Sequence, residues 1–188
     1  MPDDIMLVMR SVVIEEGAFL GLVSSAVEVY GKETAGLLIG KRKGNSYVIK
    51  YAITYQSAKR KKTEVEIDEI SETRLHQTHN LISRYGRVGD YHSHIDKQES
   101  LTKCDRMTLV GDGEGVSLLV IIKKASTGKK WQYNTKDKKL LGSIGREYWI
   151  SIKAYYYDHI KRKIMKVSIR CPYIRQLNRR SIAQNWVD

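Results

Sequence analysis

The sequence predicts a single α/β domain, and three observations carry that prediction. Its 188 residues suit one domain, or one domain with a sizeable extension. Hydrophobic residues make up 41% of the chain and charged residues 29%, which is typical of a soluble globular protein with a core. Apolar stretches with helical spacing also alternate along the chain with stretches that are typical of strands.

The alternation is clearest in the first two thirds of the chain. Apolar residues from Phe19 to Tyr30 form one stripe of a helix, which Gly31 ends. Two strands, 34–40 and 47–55, are joined by a turn at Gly44, and the basic segment 57–62 is predicted to be a loop. The predicted order then continues with a helix at 68–85 that Gly86 ends, a strand at 88–95, a helix at 101–110, a turn at 111–113 and a strand at 116–122.

The last third of the chain differs from the rest in charge. Residues 123–188 contain 17 Lys and Arg and 4 Asp and Glu, a net charge of +13, whereas residues 1–122 have a net charge of −1. This part is predicted to form strands at 130–134, 148–156 and 163–170 and a helix at 173–186. Its basic and aromatic composition fits, in order of preference, a solvated face, a docking surface for an acidic protein conjugate, or a nucleic-acid surface.

Composition also argues against several protein classes. No apolar run approaches the ~20 residues that are needed to cross a bilayer, so we expect no membrane partner. The N-terminal residues 1–4 are acidic, where a secretory signal would be basic. Cys104 and Cys171 are the two cysteines of the chain, too few for a disulfide framework. These features lead us to expect a cytoplasmic protein.

The segment Asp90-Tyr91-His92-Ser93-His94 is the strongest chemical signal. Alternate residues of a strand point to the same face, so both imidazoles can bind one metal ion. Asp105 follows eleven residues after His94, in a predicted helix start, and two histidines with one carboxylate leave a fourth tetrahedral position open for water. Glu33, at the head of a predicted buried strand, is the candidate proton acceptor.

Each of these residues also has a purely structural interpretation. A His-x-His pair is often only a strand face, and Thr102 to Asp105 also fits a helix capping box. His76 and His79 could pair on a metal ion from one helix face, but nothing else converges on them. Cys104, next to Asp105, is expected to pack and is left out of the metal site.

Five residues in this order and spacing resemble the motif of the JAMM (MPN+) zinc metalloproteases, which include prokaryotic JAB-like proteins. Glu33, His92, His94, Thr102 and Asp105 align with the glutamate, the H-x-H pair, the serine and the aspartate of that motif. The resemblance implies a curved mixed sheet flanked by helices, as in cytidine-deaminase-like folds. It divides the chain into a catalytic core at 1–125 and C-terminal strands with a basic extension at 126–188.

The resemblance also implies a reaction. His92, His94 and Asp105 would hold Zn²⁺, Glu33 would act as general base, and Thr102 would help to hold the developing oxyanion. The substrate would be an isopeptide or peptide bond to a ubiquitin-like modifier, with nucleic acid an unlikely partner. A small-molecule amidohydrolase, a silent MPN scaffold and a nucleic-acid-binding protein remain the alternatives.

Two positions depart from the family pattern. Ile95 stands where the family usually has proline after the second histidine, and Thr102 stands where it has serine. The hydroxyl of Thr102 can still donate a hydrogen bond, but its additional methyl group must fit beside the substrate. These differences bear on rate and substrate preference more than on metal binding.

Overall fold

The computed structural model describes residues 11–96, 99–112 and 115–183, with the backbone alone for 180–183. The fold within these ranges is mixed α/β. The helices are α1 (Glu16–Glu28), α2 (Glu69–Ile82), α3 (Lys103–Asp112) and α4 (Tyr173–Ala183). The strands are β1 (Ser11–Ile14), β2 (Ala35–Lys43), β3 (Ser46–Thr54), β4 (Lys59–Arg60), β5 (Val65–Glu66), β6 (Gly86–Ile95), β7 (Val116–Lys124), β8 (Gln132–Asn134), β9 (Lys139–Ile144), β10 (Tyr148–Asp158) and β11 (Lys163–Arg170).

Nine strands form one sheet, in the order β11-β1-β3-β2-β6-β7-β10-β9-β8, and β4 pairs with β5 in a separate small hairpin. Strand β11 has two partners. Its residues 163–167 pair antiparallel with β10, and its residues 168–170 pair parallel with β1. These pairings connect β1, β3, β2, β6, β7, β10 and β11 into a closed ring, so the C-terminal strands are part of the main sheet.

The two faces of the sheet pack against different helices. On the inner face, Leu38, Val120 and Ile152 pack with the buried side of α1 in the largest core cluster. On the outer face, Leu37 and Ile39 pack with Leu75 of α2, whereas Leu119 and Ile121 pack with Leu109 of α3. Alternate residues of β2 and β7 therefore serve opposite faces, as the two-residue period of a strand requires.

Gly36 shows why β2 needs a residue without a side chain. A Cβ at this position would lie 2.6 Å from the ring of Tyr91, which pairs with Gly36 from β6. The space allows the Tyr91 hydroxyl to reach the hydroxyls of Thr54, at 2.8 Å, and Ser25, at 3.2 Å. This glycine thus lets the strand that leads to the site lie close to its neighbours.

The predicted helices and strands of the core are found near their expected positions, with several corrections. The helix predicted at 68–85 ends at Ile82, because Ser83 has an extended backbone and its hydroxyl accepts a hydrogen bond from the N–H of Tyr85. Gly86 therefore begins β6 instead of ending a helix. The predicted turn at 111–113 is helical through Asp112, and residue 113 lies outside the described residues.

Several strands were predicted wrongly or missed, including β1 and β5, for which no strand was predicted. The loop predicted at 57–62 contains β4, which is held to β5 by a short ladder. Strand β9 was missed because it begins in a lysine-rich stretch and includes Gly142. A Cβ at Gly142 would lie 2.4 Å from the ring of Trp131, so the indole fits only against glycine. Helix α4 is described to residue 183, and the rest of the predicted helix at 173–186 lies outside the described residues.

The helices in the described ranges include none with the length and apolar character that a bilayer crossing requires.

Candidate metal centre

Strand β6 places both histidines of the predicted motif on the outer face. In the parallel pairing of β6 with β7, His92 lies opposite Leu119 and His94 lies opposite Ile121. Leu119 and Ile121 belong to the outer-face cluster beneath α3, so the two imidazoles lie on that face as well. His94 is 1% exposed and the side chain of His92 is 17% exposed, so one imidazole is enclosed and the other is partly exposed.

Asp105 is held at the start of α3 by a reciprocal cap. The N–H of Thr102 donates to Oδ2 of Asp105 at 2.6 Å, and the N–H of Asp105 donates to Oγ1 of Thr102 at 3.1 Å. The predicted capping box is therefore present. It fixes the carboxylate of Asp105 in the first turn of the helix, facing the histidines of β6.

His92, His94 and Asp105 come together as the motif predicted. Their ligand atoms all lie within 4.8 Å of one another, and among the described residues they form the single group of three His, Cys, Asp or Glu side chains close enough to share a metal ion. Nε2 of His92 lies 3.4 Å from Oδ1 of Asp105, and Nε2 of His94 lies 3.3 Å from Oδ2.

These distances fit a shared ion better than direct hydrogen bonds. Nitrogen–oxygen hydrogen bonds in proteins are about 2.7–3.2 Å long. Tetrahedral zinc with bonds of about 2.0–2.1 Å sets neighbouring ligand atoms roughly 3.3 Å apart. Nε2 of His92 and Nδ1 of His94 are also buried without a hydrogen-bond partner in the described structure. The donor set and the unpaired Nε2 of His92 therefore suit a zinc ion.

The charges at this centre reinforce one another. Burial raises and the two imidazoles lower the pKa of Asp105, and the balance leaves that pKa well below its ordinary value. Burial disfavours the charged form of His92, but the negative charges of Asp105, Asp90 and Glu33 together outweigh it, so the pKa of the imidazole is raised. Asp105 is thus a carboxylate throughout the physiological range, which is the form that binds a metal ion.

Glu33 lies beside this centre, just before β2. Burial raises the pKa of its carboxyl group, against the opposing effect of His94 and His92, which are close enough to act on it. The N–H of Glu33 donates to the carbonyl oxygen of Lys61 at 2.8 Å. The backbone of Glu33 is therefore attached to the small hairpin, and its carboxyl group lies near enough to His94 and His92 for their charges to act on it.

Ser93 is bonded to Thr34, the residue after Glu33, and sequence reasoning missed this contact. This serine is completely buried on the inner face, between the two histidines. Its Oγ accepts a hydrogen bond from the N–H of Thr34 at 2.9 Å, and its own N–H donates to the carbonyl oxygen of Thr34 at 2.8 Å. A small hydroxyl residue between two candidate ligands was the available signal.

Asp90 is a second residue whose role the sequence did not indicate. It lies on β6 two residues before His92, and the Ser117 hydroxyl donates to its Oδ1 at 2.8 Å. Burial raises the pKa of Asp90 above its ordinary value. Its negative charge also favours the protonated form of His92.

The other candidate ligands of the sequence lie apart from this centre. His76 has Glu72 as a neighbour, with Nε2 3.6 Å from Oε1, and neither it nor His79 belongs to the group of three. Cys104 was expected to pack, but it is exposed, and it does not join that group either.

Comparison with known proteins supports the same fold. A family model described as prokaryotic homologs of the JAB domain matches residues 15–134, which is more than half of the chain and includes all five motif residues. A similar solved structure is that of protein DSY2949 from Desulfitobacterium hafniense, with a TM-score of 0.57 and 11% sequence identity, over 85% of this chain and 92% of that chain. That likeness supports the fold alone. Among curated proteins no match is found.

Proposed function

The chain belongs to the prokaryotic JAB family, and from this premise we propose that it is a zinc-dependent hydrolase of isopeptide or peptide bonds. The observation that carries the proposal is the convergence of His92, His94 and Asp105, whose ligand atoms lie within 4.8 Å of one another. A zinc ion held by these residues would supply Lewis acidity to the scissile carbonyl and to the attacking water. The remaining chemistry belongs to side chains of the chain.

Glu33 is the proposed general base. It is half-buried beside the two imidazoles, and burial raises its pKa towards the range in which a carboxyl group both accepts and returns a proton. Glu33 would take the proton from the attacking water and deliver it to the departing amine nitrogen. The N–H of Glu33 is bonded to Lys61 and the next residue, Thr34, is bonded to Ser93, which supports a defined backbone position for the proposed base.

Thr102 is the proposed oxyanion donor. Its Oγ1 already accepts the N–H of Asp105, so the hydroxyl oxygen is fixed in position. The hydroxyl proton is not used by that bond and can be donated to the oxygen of the scissile carbonyl as negative charge develops. The same residue thus serves as helix cap and as proposed catalytic group.

A protein conjugate is the substrate class that the surroundings of the site favour. The segment after the small hairpin, which lies on the Glu33 side, exposes Ile67 and Ile70, 37% and 69% exposed. Helix α3, which lies on the Asp105 side, exposes Met107 and Val110, 65% and 42% exposed. Apolar side chains on both sides of a site are typical of a surface that binds another protein. We therefore propose a ubiquitin-like modifier, linked to a second protein, as the substrate.

The decisive experiment measures zinc content and cleavage of a panel of modifier conjugates by the same protein samples. We expect cleavage by the zinc-loaded protein, loss of cleavage after chelation, and recovery when zinc is returned. Glu33→Gln should keep the metal and lose roughly 10²–10⁴-fold in kcat, because an amide cannot accept the proton. Cleavage of small-molecule amides alone would support the amidohydrolase alternative. No cleavage of any substrate, with or without zinc, would support a silent scaffold.

A further inference from the structure

Lys153 is a buried lysine that the proposed chemistry does not use. It lies in the middle of β10, and the residue is 5% exposed. In the register of the sheet it lies opposite Lys139 on β9 and opposite Leu119 on β7. Leu119 in turn lies opposite His92, so Lys153 is two strands from the candidate metal centre, or about 10 Å.

The ammonium group of Lys153 is directed at the segment that leads into α3. Its Nζ donates to the backbone carbonyl oxygen of Glu99 and lies 4.0 Å from Oε2 of the same residue. Lys123 of β7 holds the carboxylate of Glu99 from a second direction, with Nζ 2.5 Å from Oε1. Both the backbone and the side chain of Glu99 are therefore fixed to the sheet by lysines.

Stability alone does not explain a lysine at this position. Burial lowers the pKa of Lys153, and the neighbouring positive charges of Lys166 and Lys139 lower it further against the opposing effect of Glu99. An apolar side chain of similar length would avoid this desolvation and this repulsion. A buried charge that costs stability where an apolar residue would not is a candidate for a role in function.

Residues 99–102 connect the contact between Lys153 and Glu99 to the candidate metal centre. Leu101 is buried against Leu119 and Ile121, and Thr102 caps α3 and orients Asp105. We propose that Lys153, assisted by Lys123, is a positioning residue that fixes Glu99 and thereby sets the positions of Thr102 and Asp105. The effect of Lys153 on the reaction rests on the proposed function. The effect of Lys153 on the segment that contains Glu99 can be measured without zinc or substrate.

The test compares Lys153→Met with the parent protein and with Lys139→Met as a matched control. Lys139 lies directly opposite Lys153, and its Nζ pairs with Asp137 at 3.3 Å. The first readout is hydrogen exchange of the peptide 99–106, with a peptide from α1 as internal reference. We expect faster exchange of 99–106 in Lys153→Met, unchanged exchange in α1, and no change in either peptide in Lys139→Met.

Further readouts separate positioning from a merely structural role. Lys153→Met should keep or raise Tm while weakening zinc affinity and lowering kcat by about 10-fold each, with KM little changed. A lower Tm with unchanged zinc affinity and kcat would overturn the proposal, and so would unchanged exchange of 99–106. If the parent protein cleaves no conjugate, the proposed function fails, whereas the exchange measurement still decides the role of Lys153.

Discussion

Ser93 accepts a hydrogen bond from the backbone N–H of Thr34 at 2.9 Å, and this bond connects the histidine strand to the residue after Glu33. Both residues are completely buried, so no water can replace the serine hydroxyl. In Ser93→Ala the N–H of Thr34 is left unpaired, and we expect the free energy of unfolding to fall by roughly 1–3 kcal/mol. We also expect kcat per folded molecule to fall, because Glu33 is no longer held.

Denaturant unfolding and initial rates on the same samples test this pair of effects. Ser151→Ala is the control, since Ser151 is also buried but lies on β10, two strands away from β6. It should leave kcat unchanged. If Ser93→Ala loses stability while its folded fraction keeps the parent kcat, Ser93 has no part in placing the base.

The second prediction concerns metal content. We expect about one zinc ion per chain, because the three ligands converge and leave a fourth position open. The double variant His92→Ala, His94→Ala should lose it, whereas His76→Ala, His79→Ala should retain it. Elemental analysis after gel filtration measures both. Stoichiometric zinc in the first variant would rule out this centre as the binding site.

Much of the candidate site could be predicted because its determinants are local in sequence. The two-residue period of β6 brings His92 and His94 to one face, and the spacing from Thr102 to Asp105 defines a cap. Glu33 was a candidate from its place before a predicted buried strand, and the family resemblance supported it; its position relative to the histidines depends on the long-range pairing of β2 with β6. Metal binding and catalysis by these residues remain predictions.

Features that depend on long-range pairing could not be predicted. The closure of the sheet requires β11 to change partners between residues 167 and 168, and no local pattern marks such a change. Lys153 is similar, because a lysine in a strand is usually solvated, whereas this one is buried and its ammonium group donates to Glu99. Strand β9 was missed because glycine usually indicates a turn, whereas Gly142 lies within the strand and leaves room for the indole of Trp131.

A third prediction separates the two roles of Thr102. Thr102→Ala removes the helix cap, which costs about 1 kcal/mol of stability, and also the proposed oxyanion donor, which costs roughly 3 kcal/mol of transition-state stabilisation. Thr102→Ser keeps both roles and should match or exceed the parent rate. Thermal unfolding and kcat are measured for both variants. A stability loss in Thr102→Ala at full kcat would show that the residue is only a cap.

The basic C-terminal third leads to a fourth prediction. Lys161, Arg162 and Lys163 are exposed in the turn between β10 and β11 and at the start of β11. If this region docks an acidic conjugate, reversing the three charges should raise KM modestly and leave kcat unchanged, and salt should raise the parent KM. The matched control reverses Lys41, Arg42 and Lys43, which are also exposed but lie in the near-neutral part of the chain.

Binding assays with a random oligonucleotide complete this comparison. We expect no tight binding at physiological salt. Oligonucleotide affinity that falls log-linearly with salt and disappears in the Lys161–Lys163 reversal would identify a nucleic-acid surface instead. Equal KM changes in both triple variants would point to net charge alone, and no change in either would identify a solvated face.

The last prediction concerns the pH dependence that buried Lys153 imposes on stability. Its folded-state pKa is lowered from 10.5 by burial and by Lys166 and Lys139, with Glu99 opposing and Asp137 acting in the same sense as Glu99. Between the lowered pKa and 10.5, the unfolded chain binds more protons at this site than the folded chain. The contribution of Lys153 to stability therefore rises with pH across that window. At pH values below the lowered pKa, Lys153 is charged in both states and the full cost in folding free energy of burying that charge is present.

Lys153→Met removes this penalty, so its stability advantage over the parent should be largest near pH 7 and should shrink as the pH approaches 10. Denaturant midpoints measured at several pH values test the trend. Ser151→Ala, a change of an uncharged side chain on the same strand, should differ from the parent by a nearly constant amount over this range. A stability difference that stays constant with pH would mean that burial does not lower the pKa of Lys153. A difference that shifts in favour of Lys153→Met as the pH rises would mean that the contact with Glu99 stabilises the charged form and raises that pKa instead.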